Sequence, residues 1–124
     1  MKLYIDTNVY LDYFLDRKKS KAAFRIFYQT ISCKHHIIVS DHLLNELDNN
    51  MELSDCKTLF ESIKHKTKNV KTDENDVIEA RKLPTHYADA LHIVLAQKGG
   101  AEIIITNNVK DFESIFKADS PENI

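Results

Sequence analysis

Acidic and polar side chains follow three short apolar runs in this chain, each about where a buried strand would end. Leu3-Tyr4-Ile5 leads into Asp6-Thr7-Asn8, Ile37-Ile38-Val39 into Ser40-Asp41, and Ile103-Ile104-Ile105 into Thr106-Asn107-Asn108. In a parallel sheet covered on both faces, ligands bind beyond the carboxyl ends of the strands, so these residues are expected to meet in one acid-rich site. Asp89 is the second anchor, because a carboxylate near the start of an otherwise apolar segment is costly unless something compensates it. Taken singly, Asp6, Glu46, Asp89 and Asp111 each read more simply as a cap, a surface acid or half of an ion pair. Their combined placement points to chemistry. Two carboxylates about 4 Å apart repel by roughly 1 kcal/mol in water and about 4 kcal/mol at an effective dielectric of 20. Such a set either takes up protons or holds a divalent cation, and hard oxygen donors with no required Cys or His favour Mg2+ or Mn2+ over zinc.

The elements that would position these groups alternate between strand-like and helix-like stretches. Thr7 reads as the cap of a helix carrying Val9, Leu11, Tyr13 and Phe14, and a charged turn runs from Asp16 to Lys21. Phe24, Phe27, Tyr28 and Ile31 follow at the i, i+3, i+4, i+7 spacing of an amphipathic helix, a stripe expected in the core. Ser40 or Asp41 caps a helix bearing Leu43, Leu44, Leu47 and Met51, with Glu46 on another part of its surface. Cys56, Leu59, Phe60 and Ile63 repeat the helical spacing, Asn69-Val70-Lys71 is a weak strand candidate, and Asp73-x-x-Asp76 looks like an acidic helix start. From Pro84, suited to a first helical turn, the chain is apolar nearly all round to Ala96 and belongs in the interior. Gly99-Gly100 ends that helix, and Val109 to Phe116 reads as a last one before a polar tail. The alternation predicts an α/β fold: a three-layer α/β/α sandwich with a mostly parallel, four- or five-stranded central sheet.

Length fits one domain, residues 1–124. With 43% hydrophobic and 29% charged residues and only two Gly and two Pro, the composition is that of an ordinary globular chain and excludes disordered and fibrous classes. The formal charge of −2 supplies no global positive field, so any affinity for nucleic acid must come from local basic patches, a partner chain or a bound cation. No segment approaches the length of a membrane span and no charged-then-apolar leader is seen, so a cytoplasmic protein without membrane contact is expected. Cys33 and Cys56 are too few for a disulfide framework and fit reduced thiols.

Four segments, in order, resemble the motifs of PIN domains: Leu3-Tyr4-Ile5-Asp6-Thr7-Asn8-Val9, Ser40-Asp41-His42-Leu43-Leu44-Asn45-Glu46-Leu47, Ala88-Asp89-Ala90-Leu91-His92-Ile93-Val94-Leu95-Ala96 and Ile105-Thr106-Asn107-Asn108-Val109-Lys110-Asp111-Phe112. The resemblance implies a PIN-like, metal-dependent nuclease domain over residues 1–124, of the kind found as the toxin of VapBC-type toxin-antitoxin pairs. It implies Mg2+ or Mn2+ held by Asp6 and Asp89 with Glu46 completing the cluster, Asp111 steadying a second ion or the leaving side, and Asn8 and Thr106 hydrogen-bonding those ligands. It further implies hydrolysis of an RNA phosphodiester to a 5′-phosphate and a 3′-hydroxyl, an antitoxin partner and a homodimer. The last motif departs from the family pattern. Many members have an acid where Asn108 stands, so this site carries less charge, and Asp111 is the candidate replacement.

Other features weigh less. Lys18, Lys19, Lys21 and Arg25 form a basic cluster that can neutralise RNA phosphates, and Lys64, Lys66, Lys68 and Lys71 form a second, although solvated surface is the simpler reading of both. Cys33, His35, His36 and His42 match no closed four-ligand zinc spacing. His92, one turn after Asp89, can orient that carboxylate, but a packed core histidine is the simpler reading. Tyr10 and Tyr13 can stack on a base, yet read first as core. The alternative function is a catalytically weak or inactive PIN-like module that binds RNA or protein. A receiver-like phosphoacceptor domain fits worse, because it wants an acid pair after its first strand and a Lys after its last.

Overall fold

Runs of Ile, Leu and Val too continuous for a one-sided sheet become strands that are covered on both faces. The computed structural model describes residues 1–124. Along the chain come β1 (Lys2–Ile5), α1 (Thr7–Phe14), α2 (Ser20–Ile31), β2 (His36–Ser40), α3 (Asp41–Asp48), α4 (Lys57–Ile63), β3 (Thr67–Val70), α5 (Glu74–Arg81), α6 (Tyr87–Gly99), β4 (Ile103–Ile105) and β5 (Ala118–Asp119). All strand pairs are parallel, in the order β3-β2-β1-β4-β5.

Register sorts the side chains into two cores. Leu3 lies beside Ile37 and Ile103, and Tyr4 beside Ile38 and Ile104. Because successive side chains point to opposite faces, Leu3, Ile5, Ile37, Val39, Ile103 and Ile105 enter the core shared with α1 to α4. Tyr4, Ile38 and Ile104 enter the opposite core with α6 and Ala80 of α5. The result is the expected α/β/α sandwich, with five parallel strands. Strand order reverses between β1 and β4, so their carboxyl ends bound the crevice where ligands bind in such sheets.

Several details depart from the sequence expectation. Asp6, not Thr7, caps α1, its side chain accepting from the Thr7 amide. In α2 the buried face is Ala23, Ile26, Phe27 and Thr30, whereas Phe24, Tyr28 and Ile31 are 55%, 59% and 42% exposed. Two helical stripes compete there; the helix buries the one through Ala23, Phe27 and Thr30, with the Thr30 hydroxyl returned to the Ile26 carbonyl, and leaves Phe24, Tyr28 and Ile31 largely outside. Pro84 precedes α6 instead of entering its first turn. Val109 to Phe116 supplies only a short 3-10 turn, Val109–Asp111, and the tail contributes β5. Gly99 is required by close packing, since a Cβ there would lie 2.5 Å from Ile38, and Gly100 ends α6 at a φ of 81°. Tyr10 is fully buried against Phe27 and Phe60, a core role. Both cysteines are free thiols, and no helix is long and apolar enough to cross a membrane.

At the carboxyl end of β2, Ser40 caps α3 through the Leu43 amide, and Asp41 accepts from the amide and hydroxyl of Thr72, tying the exit of β3 to α3. Partial burial pushes the Asp41 carboxyl up, but these hydrogen bonds outweigh it and hold it below its ordinary value. Its contribution is therefore present above the unfolded pKa and lost as pH falls through the lower folded value. Asp41→Ala is expected to cost about 1 kcal/mol at neutral pH, discounted for solvent exposure. Urea midpoints should converge with wild type as the solution is acidified toward pH of about 3.

Candidate functional site

Three of the candidate acids, Asp6, Glu46 and Asp89, meet, whereas Asp41 turns to Thr72 and Asp111 stays outside. Asp6 follows β1, Glu46 projects from α3 and Asp89 sits in the first turn of α6; with Thr7, Asn8 and His92 they line one cleft of about 320 Å3. A larger groove of about 520 Å3, lined by Leu44, Leu53 and Phe60 among others, gathers no such acids.

Each carboxylate is held from a different side. Asp6 Oδ1 accepts from the Thr7 amide and Oδ2 from the Thr106 hydroxyl, both at 2.8 Å, and Thr106 Oγ1 in turn accepts from the Asn108 amide at 3.0 Å. The side chain after β1 is thus fixed by the residue after β4, across the crevice. Glu46 Oε1 accepts from the Thr7 hydroxyl and lies 2.6 Å from His92 Nε2. The other ring nitrogen, Nδ1, lies 2.6 Å from the Tyr4 hydroxyl, which lies 2.7 Å from Ser40 Oγ. His92 is only 1% exposed and its Nε2 is also 3.8 Å from Asp6. His42, one turn before Glu46 on α3, completes a group in which one donor atom from each of His42, Glu46 and His92 lies within 4.8 Å of the others.

The electrostatics follow from burial and pairing. Burial pushes the Asp6 carboxyl above its ordinary value, against the pull of His92 and its hydrogen bonds. Burial also raises Asp89, and the charges of Asp6 and Asp111 add to it. Glu46 goes the other way: burial opposes its charge, but the hydrogen bond and charge of His92, with the Thr7 hydroxyl, outweigh it and hold the carboxyl at about 2. The nine ion pairs of the chain give no lysine or arginine partner to Asp6, Glu46 or Asp89. Anionic oxygens and imidazole nitrogens converging with no lysine or arginine among them are a donor set that fits a divalent cation.

The remaining candidates fall around this cleft. Asn8 lines it, Thr106 braces Asp6, and Asn108 contributes its backbone amide while its side chain is exposed. Asp111 is exposed on the 3-10 turn, outside the lining, near enough for its charge to act on Asp89. Lys18, Lys19, Lys21 and Arg25 are exposed around the start of α2; Lys19 pairs with Glu122, and Arg25 donates to the Pro121 and Glu122 carbonyls. Cys33, His35 and His36 join no metal-ligating group; His35 is buried against Gln29 instead. Sequence reasoning read Thr7 only as a helix cap, weighed His42 only with Cys33, His35 and His36, and read His92 as packing or as a prop for Asp89. The available signal was spacing: His42 and Glu46 are four apart on one helix, so they share a face.

A family model described as PIN domain matches residues 2–110. Among solved structures, the chain is similar to VapBC2 from Rickettsia felis bound to a DNA fragment from their promoter, at 15% identity and a TM-score of 0.68 over 97% of this chain and 98% of that one. It is similar to VapBC-1 from nontypeable Haemophilus influenzae at 17% identity and a TM-score of 0.64, covering 98% of each chain. A toxin-antitoxin complex from Klebsiella pneumoniae matches at 19% identity and a TM-score of 0.63 over 96% of this chain and 97% of that one. At these identities the likeness establishes a shared fold. No curated protein matches the chain in sequence.

Proposed function

The chain belongs to the PIN-domain family, and on that premise we propose that residues 1–124 act as a single metal-dependent ribonuclease domain, the toxin of a VapBC-type pair. The observation that carries this reading is the convergence of Asp6, Glu46 and Asp89 on one polar cleft with no lysine or arginine to neutralise them. Asp6 and Asp89, with Glu46, would hold Mg2+ or Mn2+. When bound, such a cation supplies positive charge for the phosphoryl oxygens and activates water. Thr7 and Thr106 fix Asp6 so that its oxygens need not reorganise. Glu46, held at about 2, is a weak base and orients the attacking water rather than removing its proton. Asp111 lies near enough for its charge to act on Asp89 and would steady the leaving side from there, and Asn8 lines the cleft.

The test is cleavage of RNA with added Mn2+ or Mg2+, scored for 5′-phosphate ends. Abolition by EDTA is the expected result; cleavage that persists in EDTA overturns the reading. A second reading, a PIN-like module that binds RNA or protein without cutting it, is favoured by Asn108 alone and predicts binding with no cleavage in any metal. Lys18 and Lys21, which make no ion pair, are proposed to guide RNA toward the cleft. Replacing both with Ala should flatten the dependence of log affinity on log salt by about 1.4, roughly 0.7 for each phosphate that is no longer neutralised.

An antitoxin partner is supported by the toxin-antitoxin complexes among the similar structures and by the exposed stripe of Phe24, Tyr28 and Ile31 beside Tyr13. The double variant Phe24→Ser, Tyr28→Ser should leave RNA cleavage unchanged and weaken association with the cognate antitoxin at least about tenfold, since buried aromatic anchors dominate such interfaces. Titration of the two purified proteins measures it. A homodimer in the cytoplasm completes the proposal.

A further inference from the structure

The tightest ligand-like group in the chain is not made of carboxylates alone. His42 and Glu46 project from one face of α3, four residues apart, and His92 reaches them from α6. Their rings face each other, with His42 and His92 centroids 4.4 Å apart. His92 Nδ1 is engaged by the Tyr4 hydroxyl at 2.6 Å, and Tyr4 is anchored on Ser40 at 2.7 Å, so only Nε2 is turned toward the cleft. If Nδ1–H donates to Tyr4 and Tyr4 donates to Ser40, Nε2 turns its lone pair to Glu46 Oε1 2.6 Å away, and a bound cation would take the place of the proton that otherwise joins the two. This arrangement, an imidazole oriented by a hydrogen bond at its far nitrogen, is how metal-binding histidines are commonly fixed.

We propose that His42, Glu46 and His92 form a site for a borderline first-row transition metal, of the Zn2+ or Co2+ kind, with Glu46 and His92 in the wall of the acidic cleft. Imidazole nitrogen is a poor ligand for Mg2+ and a good one for zinc and its neighbours, so the two histidines shift the choice of ion away from the one that oxygen donors alone would take. Bonds of about 2 Å from a single ion bridge donors roughly 3–4 Å apart, and the 4.8 Å spread here needs only small side-chain rotations to close. His42 gives up its hydrogen bond to the Ala88 carbonyl, 3.2 Å from its Nε2, and His92 its 2.6 Å hydrogen bond to Glu46. The inference rests on the reading of this cleft as a metal centre, and adds the class of ion and two nitrogen ligands to it.

Titrating the metal-free protein with Co2+ tests it, because imidazole coordination is reported by the visible d–d bands independently of catalysis. One equivalent of Co2+ is expected to bind, to be displaced by Zn2+ and not by a large excess of Mg2+. His42→Gln and His92→Gln should each lower Co2+ affinity by at least about tenfold, and Tyr4→Phe by a smaller factor through loss of ring orientation. Circular dichroism checks that each variant is folded; if His92→Gln is not, the partly exposed His42 decides the matter. Displacement by Mg2+, or unchanged Co2+ spectra in His42→Gln, overturns the proposal and leaves His92 as a counter-charge to Glu46 and Asp6. The nuclease reading fails separately: RNA cleavage supported by Mg2+ without nitrogen ligation sinks only this inference, whereas Co2+ bound by imidazole with no cleavage in any metal sinks only the nuclease.

Discussion

Asp6→Asn is expected to lower metal-dependent RNA cleavage by at least about 100-fold while the protein stays folded. The substitution is nearly isosteric, and the amide can reproduce both hydrogen bonds: its oxygen accepts from the Thr7 amide, and its nitrogen donates to Thr106 Oγ1. What it removes is a buried negative charge. That charge is opposed by desolvation and favoured by nothing stronger than His92 at 3.8 Å, so the metal-free variant should melt no lower than wild type. Initial rates at saturating Mn2+, paired with thermal melts of the same samples, separate lost chemistry from lost structure. Full cleavage retained by both Asp6→Asn and Asp89→Asn would remove the proposed ligands from the mechanism.

The acids differ in how much of the site depends on them. Asp89 is half-buried in the first turn of α6, where the helix dipole favours a carboxylate, yet the charges of Asp6 and Asp111 still push it up. Its loss should resemble that of Asp6. Asp111 is exposed and lies outside the cleft lining, so its charge reaches the site through solvent and Asp111→Asn belongs to a smaller class of effect. Asn108 turns its amide, not its side chain, to the hydrogen-bond network of Asp6. The carboxylate missing at that position is therefore absent from the rim rather than from the group that fixes Asp6.

The sheet was legible because β1, β2 and β4 are almost pure Ile, Leu, Val and Tyr, and because polar residues mark where each stops. Asp6 and Thr106 were found in this way: a strand end in a parallel sheet has only one place to go. Helix faces were harder to read. In α2 the stripes Phe24-Tyr28-Ile31 and Ala23-Phe27-Thr30 both obey helical spacing, and hydrophobicity favours the first while the fold buries the second. The tail misled for a related reason, since a two-residue strand such as Ala118–Asp119 carries no periodicity. His92 lay beyond spacing arguments. Its place in the cleft depends on Tyr4, a strand residue whose hydroxyl crosses between Ser40 and the His92 ring, and that is a contact between positions 88 residues apart.

Adding a divalent cation should raise the melting temperature, and the rise should grow with pH. A carboxyl whose folded pKa lies above its unfolded value binds more protons when folded, so it subtracts stability as pH climbs from the ordinary value, 3.8 for both Asp6 and Asp89, through the raised one. Glu46 has the opposite sign: its folded value of about 2 lies below the ordinary 4.5, and its contribution is complete above 4.5 and lost as the solution is acidified toward 2. Above the ordinary carboxylate range the two aspartates subtract stability as pH climbs through their raised values, whereas His35 and His42, held below the ordinary imidazole value by burial, add stability as pH climbs toward that value. A cation at a hundred times its dissociation constant contributes about 2.7 kcal/mol to the folded state, roughly 10 °C in Tm for a chain of this size. Because protons compete for the same oxygens, the gain at pH of about 8 should exceed that at about 5. Melting curves with and without Mn2+ at both values measure it. A Tm that no divalent cation moves at either value would show that Asp6 and Asp89 are neutralised by the protein itself, and the cleft would then have no need of an ion.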